Sequence, residues 1–130
     1  MTPGADECAR PEAELRFAQA RDYLELAELA LDEKPQAAAG NAVLSAIAAS
    51  DAICCFRLGQ RSRGQDHREA LSLLATVPDG GQQMAADLRR LLDIKDAAHY
   101  SATLTAQTTA RTAVVRARRL FDAVRTAMGR

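Results

Sequence analysis

The chain has 130 residues, a formal net charge of zero at pH 7 and no tryptophan. This length is enough for one domain with a single hydrophobic core. A neutral chain is not drawn as a whole towards nucleic acid or an anionic membrane. Two tyrosines and three phenylalanines are too few for an aromatic platform on which nucleic-acid bases stack.

The neutral total hides a strong charge asymmetry along the chain. Residues 1–36 hold nine acidic and four basic side chains, whereas residues 111–130 hold six arginines and one aspartate. Two explanations fit this pattern. The two segments attract each other, within one molecule or across a symmetric contact, or the arginine-rich segment meets phosphate groups.

The first part of the chain predicts a tail and then a helix. We assign residues 1–10 to a flexible N-terminal tail and residues 11–128 to one helical domain. Pro11 suits a first helical position, and apolar residues at helical spacing predict a helix over residues 11–31. Glu12 and Arg16 stand four residues apart, which predicts an ion pair on the outer face.

The most apolar stretch spans residues 37–58, where Asp51 is the only charged side chain before Arg57. A helix that is apolar on every side is either a central core helix or a membrane span. Its bulky apolar residues are few and small polar residues recur, which argues against a membrane span. We therefore predict the central helix of a bundle. A carboxylate on such a helix is costly unless it has a partner.

The second half predicts three more helices. Residues 60–65 read as a basic loop carrying Arg61 and Arg63, and Asp66 as the N-cap of a short helix that ends before Pro78. A fourth helix over residues 82–98 has an apolar inner face that continues into Lys95 and His99. Because Lys95 and Asp51 both interrupt apolar surfaces, we expect them to form a pair.

A last helix is predicted over residues 105–128, where Ala110, Val114, Ala117, Phe121, Val124 and Met128 form an apolar seam. Arg111, Arg118 and Arg125 form a stripe beside this seam. No stretch alternates apolar and polar residues as a strand would. The fold class expected is all-α, an antiparallel up-and-down bundle of four to five helices.

The run from Leu91 to Tyr100, followed by a Ser/Thr-rich cap and an Ala/Arg-rich helix, resembles the C-terminal half of HEPN domains. Many of those carry a basic residue, two variable positions and then Ala-Asp-Tyr before the last helix. Lys95, Ala98 and Tyr100 match that pattern, and His99 stands where the Asp would be. The small-residue run from Asn41 also resembles the second helix of the family.

The resemblance implies a small, commonly dimeric bundle, sometimes attached to a nucleotidyltransferase or found in toxin–antitoxin and defence systems. Some HEPN domains are metal-independent ribonucleases with an Arg, four to six residues and then a His before the last helix. Here Lys95 and His99 stand at that junction with three residues between them. Arg61 and His67 have five residues between them, but they follow the second predicted helix.

Three hypotheses follow for the function. The first is a homodimeric HEPN-like module that binds a partner or a nucleic-acid ligand through a polar cleft, without strong catalysis. The second is a metal-independent endoribonuclease that uses His99, or Arg61 with His67, as its catalytic residues. The third is a structural, dimerising bundle without a ligand, in which the polar residues only fix the register of the helices.

The candidate residues are the same under all three hypotheses. Those with catalytic potential are Asp51, Lys95 and His99, and those expected to line a ligand site are Asp51, Arg61, Arg63, His67, Lys95, His99, Tyr100 and Arg118. We expect no metal and no other cofactor, since the paired Glu-x-x-His motifs of di-iron bundles are missing from the sequence. The apolar seams of the central and last helices offer more small-apolar surface than one short bundle would bury, so we expect a homodimer. The other expected partners are a nucleotidyltransferase or antitoxin, and RNA, with no membrane.

The three cysteines complete the expectations. Cys54 and Cys55 are adjacent in the central helix, where their side chains diverge, and Cys8 falls in the predicted tail. We therefore expect no disulfide framework. An odd cysteine count without a secretory signal indicates a reduced, cytoplasmic protein.

Overall fold

The computed structural model describes residues 4–63, 66–100 and 105–130, and the side chains of residues 98–100 lie outside this description. Within these ranges the chain forms five helices and one two-stranded ribbon. The helices are α1 (Arg10–Ala30), α2 (Pro35–Leu58), α3 (His67–Ala75), α4 (Gly81–Tyr100) and α5 (Gln107–Ala127), and the strands are β1 (Ala5–Glu7) and β2 (Gln60–Ser62). The predicted all-α bundle is confirmed.

Helix α2 is the centre of the bundle, as the sequence predicted. Alanines and other small residues bury most of its surface against α1, α4 and α5, because small side chains let neighbouring helices approach closely. Ser45 is completely buried, and its Oγ donates a hydrogen bond of 2.7 Å to the Ala20 carbonyl oxygen of α1. This bond satisfies the hydroxyl and fixes α1 against α2.

By length and composition alone, α2 could also cross a membrane, with a mean hydropathy of 1.5 over its most apolar window. However, 67% of that window is buried inside the bundle. A buried helix of this composition is what the core of a helical domain contains. The burial of α2 therefore agrees with the interpretation of this stretch as a core helix.

Both ends of α2 follow helix-capping chemistry. Pro35 occupies the first helical position, where a missing N–H costs nothing. Gly59 follows the last turn in the left-handed region at φ 68°, and its N–H donates to the Cys55 carbonyl oxygen over 3.0 Å. A side chain would be strained at this φ, so the glycine permits the chain to leave the helix directly into β2.

Helices α1, α2 and α5 form one half of the bundle. The rings of Phe17 and Phe121 stack with centroids 5.0 Å apart, joining α1 to α5. The whole predicted seam of α5 is buried inside the molecule. This seam and the apolar surface of α2 were our reason to expect a dimer, so that reason is wrong: one chain already buries both.

Helices α3 and α4 form a hairpin on the other side of α2. Asp66 caps α3 as predicted, with its Oδ1 accepting a 2.8 Å hydrogen bond from the Arg68 N–H. Leu74 of α3 and Leu88, Leu91 and Leu92 of α4 are buried together against α2. This hairpin closes the core on the face that α1 and α5 leave open.

The ribbon of β1 and β2 was not predicted. Ala5 pairs with Ser62 and Glu7 with Gln60, in antiparallel register. β1 lies within the segment that we assigned to a flexible tail, and β2 within the predicted basic loop. Three-residue strands are too short to show an apolar–polar alternation, so the pattern on which strand prediction relies is missing.

A disulfide joins Cys8, just after β1, to Cys55 in α2, with the two Cα atoms 5.7 Å apart. The expectation that the cysteines form no cross-link is therefore wrong. It failed because it treated Cys8 as part of a tail, whereas the ribbon returns Cys8 to the C-terminal end of α2. Cys54 is the free cysteine of the three, and it is buried.

The acidic and the arginine-rich segments form ion pairs with each other within one molecule. Arg118 of α5 makes a two-bond contact with Glu28 of α1, at 2.6 and 3.2 Å. Arg130, after α5, pairs with Glu14 at the other end of α1. The acidic first part and the arginine-rich last helix therefore attract each other, as the first of our two explanations predicted.

Candidate functional site

Asp51 is half-buried on α2, and its partner is Arg16 of α1. The Arg16 Nη2 lies 2.8 Å and the Nε 3.2 Å from the same carboxylate oxygen, Oδ2. The side chain of Arg16 is 28% exposed and that of Asp51 is 14% exposed. Burial raises the pKa of Asp51 above its usual value, and the hydrogen bond and charge of Arg16, together with the charge of Arg61, only partly counter this.

The predicted pair of Asp51 and Lys95 does not form. Lys95 is exposed on α4, and none of the described carboxylates lies within 4.0 Å of its ammonium. The inner face of α4 ends with the buried Leu91 and Leu92, so Lys95 lies at the edge of the apolar stripe rather than within it. A lysine at such an edge extends its charged end to water and needs no buried partner.

Asp51 and Lys95 nevertheless line one small cavity between α2, α3 and α4, which we call the polar cleft. Its volume is about 110 Å³. Ser50, Ser62, Asp66 and His67 also line it, with Ile47, Ala70, Leu88 and Leu92 as apolar walls. Three helices and β2 thus bring together carboxylate, hydroxyl, imidazole and ammonium groups. The space suits a few water molecules or one small polar group of a larger ligand.

His67 is the first residue of α3 and reaches the polar cleft from the helix N-terminus. The structure places His67 half-exposed at the edge of the cleft. Its neighbour Asp66 accepts the hydrogen bond from the Arg68 N–H, which lowers the pKa of Asp66. Asp66 is therefore the acceptor that caps α3 and stays ionised over a wide pH range.

Arg61 and Arg63 belong to β2 and its end rather than to a basic loop. Arg61 pairs with Glu12 at 3.5 Å, and its charge also acts on Asp51. Arg63 pairs with Asp6 of β1 at 2.9 Å. Arg61 ties the ribbon to α1 and Arg63 ties the end of β2 to β1, and neither arginine lines the polar cleft. The spacing of Arg61 and His67 thus does not bring both side chains to the cleft.

Four of the five arginines of α5 contact described carboxylates. Arg118 contacts Glu28 and Asp122, and these bonds raise its pKa. Arg116 and Arg119 both contact Asp87 of α4, which is 2% exposed. Arg125 pairs with Asp122 at 3.5 Å. Two of the three residues of the predicted arginine stripe, Arg118 and Arg125, are therefore in helix-to-helix and local ion pairs. Among the described residues, no carboxylate lies within 4.0 Å of the third, Arg111.

A larger groove adjoins the polar cleft at Lys95, and we call it the apolar groove. Its volume is about 420 Å³, and it is lined by Gln36, Ala39, Gly40, Val43, Leu44, Ile94, Lys95 and Thr105. Small-molecule sites commonly have volumes in this range and mostly apolar walls with a few polar groups. Lys95 lines both the groove and the cleft, so a ligand in either space would meet its ammonium.

Two of the predicted site residues cannot be placed. The side chains of His99 and Tyr100 lie outside the described part of the structure, although the backbone of both belongs to the end of α4. His99 stands one helical turn after Lys95 in the sequence. The junction motif of Lys95 and His99 therefore remains a prediction. Within the described residues, no group of three or more His, Cys, Asp or Glu side chains could hold a metal ion.

Arg16 is the site residue that the sequence-based reasoning missed. We predicted an outer-face pair of Arg16 with Glu12, but Arg16 faces inward to Asp51 and Glu12 pairs with Arg61. A usable signal was present. Ala13, Arg16 and Ala20 follow each other at steps of three and four, so Arg16 lies on the buried stripe of α1. A cation on that stripe was the natural partner for a carboxylate on α2.

Comparisons with known proteins identify no relative of this chain. No protein-family model, no curated protein and no solved structure matches this chain. The polar cleft and the apolar groove beside it are therefore interpreted from their own residues.

Proposed function

We propose that this chain is a HEPN-like helical module that binds RNA at the polar cleft and the adjoining apolar groove. The observation that carries the proposal is the position of Lys95, which lines both spaces without a carboxylate within 4.0 Å among the described residues. Ten of the fifteen described arginines contact an acidic side chain, and none of the other five lines either space. A cation without such a contact is available to a phosphate.

The two spaces suit different parts of a nucleotide. The apolar groove has walls of Ala39, Val43, Leu44 and Ile94 that could cover the face of a base. The ammonium of Lys95 would meet a phosphate at the junction, and the polar cleft would receive a small polar group near His67. The resemblance of residues 91–100 to HEPN domains supports the same assignment, independently of this geometry.

The test is binding of a fluorescently labelled single-stranded RNA in the presence of excess chelator. We expect Lys95→Ala to weaken binding about three- to tenfold and to reduce the salt dependence by about one phosphate contact. Arg89→Ala is the matched control, because Arg89 is also an exposed cation of α4 but lines neither space. Equal effects of the two variants, or no binding by the unmodified protein, would refute the proposal.

The second candidate function is a metal-independent endoribonuclease. The observation in its favour is that His67 and Asp51 line the same cleft, so a group able to move protons lies near a carboxylate. The same RNA should then be cleaved in chelator, and His67→Gln or His99→Ala should abolish cleavage. Cleavage that survives both substitutions would point to a contaminant. If the protein neither binds nor cleaves this RNA, the structural bundle is the hypothesis that remains.

The proposal includes a homodimer and a partner such as a nucleotidyltransferase or an antitoxin. The proposal of a nucleotidyltransferase or antitoxin partner rests on the family resemblance alone. The dimer has structural support in three exposed leucines on the outer face of α1, Leu15, Leu26 and Leu29. Large exposed apolar side chains on one face are typical of an interaction surface.

A further inference from the structure

The Cys8–Cys55 disulfide joins the end of β1 to α2, the helix from which β2 continues. Beyond the strand pairing, the Cys8 N–H donates to the Gly59 carbonyl oxygen at 3.0 Å, and the Arg63 N–H donates to the Gly4 carbonyl oxygen at 3.1 Å. The ribbon has only three paired residues on each strand. So short a ribbon is marginal by itself. β2 follows α2 directly through Gly59, and the disulfide is the covalent cross-link that fixes the β1 end of the ribbon to α2.

The ribbon also forms one wall of the polar cleft. Ser62 of β2 lines the cleft and pairs with Ala5 of β1, which is 2% exposed. Asp66 and His67 follow β2 closely in the chain and line the same wall. Movement of β1 away from β2 would therefore loosen the side of the cleft that carries Ser62.

We propose that the Cys8–Cys55 disulfide is a redox-controlled cross-link, whose reduction releases β1 from α2 and loosens this wall of the polar cleft. The first supporting observation is access. Cys8 is half-exposed in an open groove of about 470 Å³ between residues 7–12 and 58–60, whereas Cys55 is 3% exposed. Cys8 is therefore the more accessible of the two linked cysteines to a small thiol from solvent.

The chemistry is thiol–disulfide exchange with a glutathione-type thiol. Its thiolate attacks Cys8 Sγ, the S–S bond breaks, and Cys55 leaves as a thiolate that takes up a proton. A second thiol attacks the mixed disulfide on Cys8, which releases the oxidised thiol dimer and leaves Cys8 reduced. Two thiols thus supply the two electrons and two protons. The reverse reaction uses the oxidised thiol dimer as the oxidant.

The surroundings of Cys55 and Cys54 are compatible with reduction of the Cys8–Cys55 bond. Cys55 Sγ lies 3.2 Å from the Ala9 carbonyl oxygen, so the thiol that reduction produces has an acceptor already in place. Cys54 does not compete for the bond. Burial, and next the charge of Asp51, raises the pKa of the Cys54 thiol to about 12, so that it is hardly ever a thiolate.

The test compares amide hydrogen exchange in oxidised and reduced protein, prepared in glutathione redox buffers, with peptide mapping to identify the linked cysteines. We expect the Cys8 and Arg63 amides to exchange about tenfold faster or more after reduction. Cys8→Ser should show the fast exchange in both buffers. The Met128 N–H, which donates to Val124 in the last turn of α5, should not change.

Cys54→Ala is the control variant and should still respond to reduction, because Cys54 is the free cysteine. Equal exchange of Arg63 in the two buffers, or a disulfide that contains Cys54, would overturn the proposal. A difference in RNA affinity between oxidised and reduced protein is a second measurement that rests on the proposed function. If RNA does not bind at all, the exchange result still decides the redox proposal by itself.

Discussion

At the scale of single residues, Asp51 and Asp87 show two ways in which this bundle holds a carboxylate. Asp51 meets one arginine, and its pKa is raised because burial outweighs that partner. Asp87 is 2% exposed and meets two arginines, Arg116 and Arg119, from the neighbouring helix. Burial thus disfavours the charged form of Asp51, whereas Asp87 is the shared acceptor of two arginines. The first feature predicts a pH dependence of stability, and the second predicts a loss of stability when the carboxylate is removed.

For Asp51, the raised pKa predicts a specific pH dependence. The folded state holds this proton more tightly than the unfolded chain, so its contribution to stability is fully present below the unfolded value near 3.8 and is lost as pH rises through the raised pKa. Relative to Asp51→Asn, the free energy of unfolding of the unmodified protein should fall as pH rises from about 3 to about 7. Urea unfolding at several pH values measures this. A difference that grows with pH would contradict the raised pKa.

For Asp87, removal of the carboxylate should be strongly destabilising. Asp87→Ala would leave Arg116 and Arg119 without their shared acceptor, at an expected cost of about 2–3 kcal/mol, reduced from the value for fully buried pairs because both arginines are partly exposed. Asp93→Ala is the matched control on α4, since Asp93 is exposed. It should change stability by less than about 0.5 kcal/mol. Similar losses in both variants would contradict the structural role of Asp87.

Residue pairing was the level at which prediction from sequence was weakest. The chain showed that Asp51 needed a partner, and the buried stripe of α1 would have indicated Arg16. To reject Lys95 as the partner, one must know how far the inner face of α4 extends, because Lys95 lies just beyond the end of that face. Helical spacing determines which side chains share a face, but the rotation of one helix against another decides which faces meet.

At the scale of elements, the helices were predictable because each is long enough to repeat its apolar pattern several times. The boundaries of α1 and α4 differ from the expected ones by one or two residues: α1 begins and ends one residue earlier, and α4 begins one residue earlier and ends two residues later, at Tyr100. The two strands could not be predicted, because their pairing joins residues more than fifty positions apart. Only the fold brings those residues together.

Two glycines on helices give a matched test of this element-level packing. A Cβ at Gly81, the first residue of α4, would lie 2.5 Å from the Leu74 carbonyl oxygen, so Gly81→Ala should cost about 1–3 kcal/mol. A Cβ at the exposed Gly40 of α2 would meet nothing within 4 Å. Gly40→Ala should therefore stabilise the protein by about 0.5–1 kcal/mol. Thermal or urea unfolding of the two variants checks both signs, and equal effects would contradict the close approach of α3 and α4.

At the scale of the whole molecule, the charge asymmetry and the apolar seams were both visible in the sequence. Only the charge asymmetry was correctly assigned to contacts within one chain. The acidic and basic segments pair within one chain, as expected. The seams of α2 and α5 are also satisfied within one chain, where we had expected a second copy. A sequence reports how much apolar surface must be buried, but it does not report how completely a single bundle buries it.

The surface that remains for a dimer is on α1. Leu15, Leu26 and Leu29 are 59%, 52% and 82% exposed, and at 100° per residue they lie within about 60° of each other around the helix. This face is opposite to the buried stripe of α1. A stable dimer needs about 800 Å² of surface from each partner, so this leucine face would have to form the centre of a larger contact.

We therefore expect a mass near twice the chain mass of 14.0 kDa by light scattering at micromolar concentration. Leu29→Glu should convert the protein to a monomer, because it places a charge at the most exposed leucine of this face. Val115→Glu is the control, since Val115 is an apolar side chain of α5 that is 60% exposed. If Val115→Glu separates the dimer and Leu29→Glu does not, the contact lies on α5. A monomeric mass for the unmodified protein would leave α1 as an exposed apolar face without a second copy.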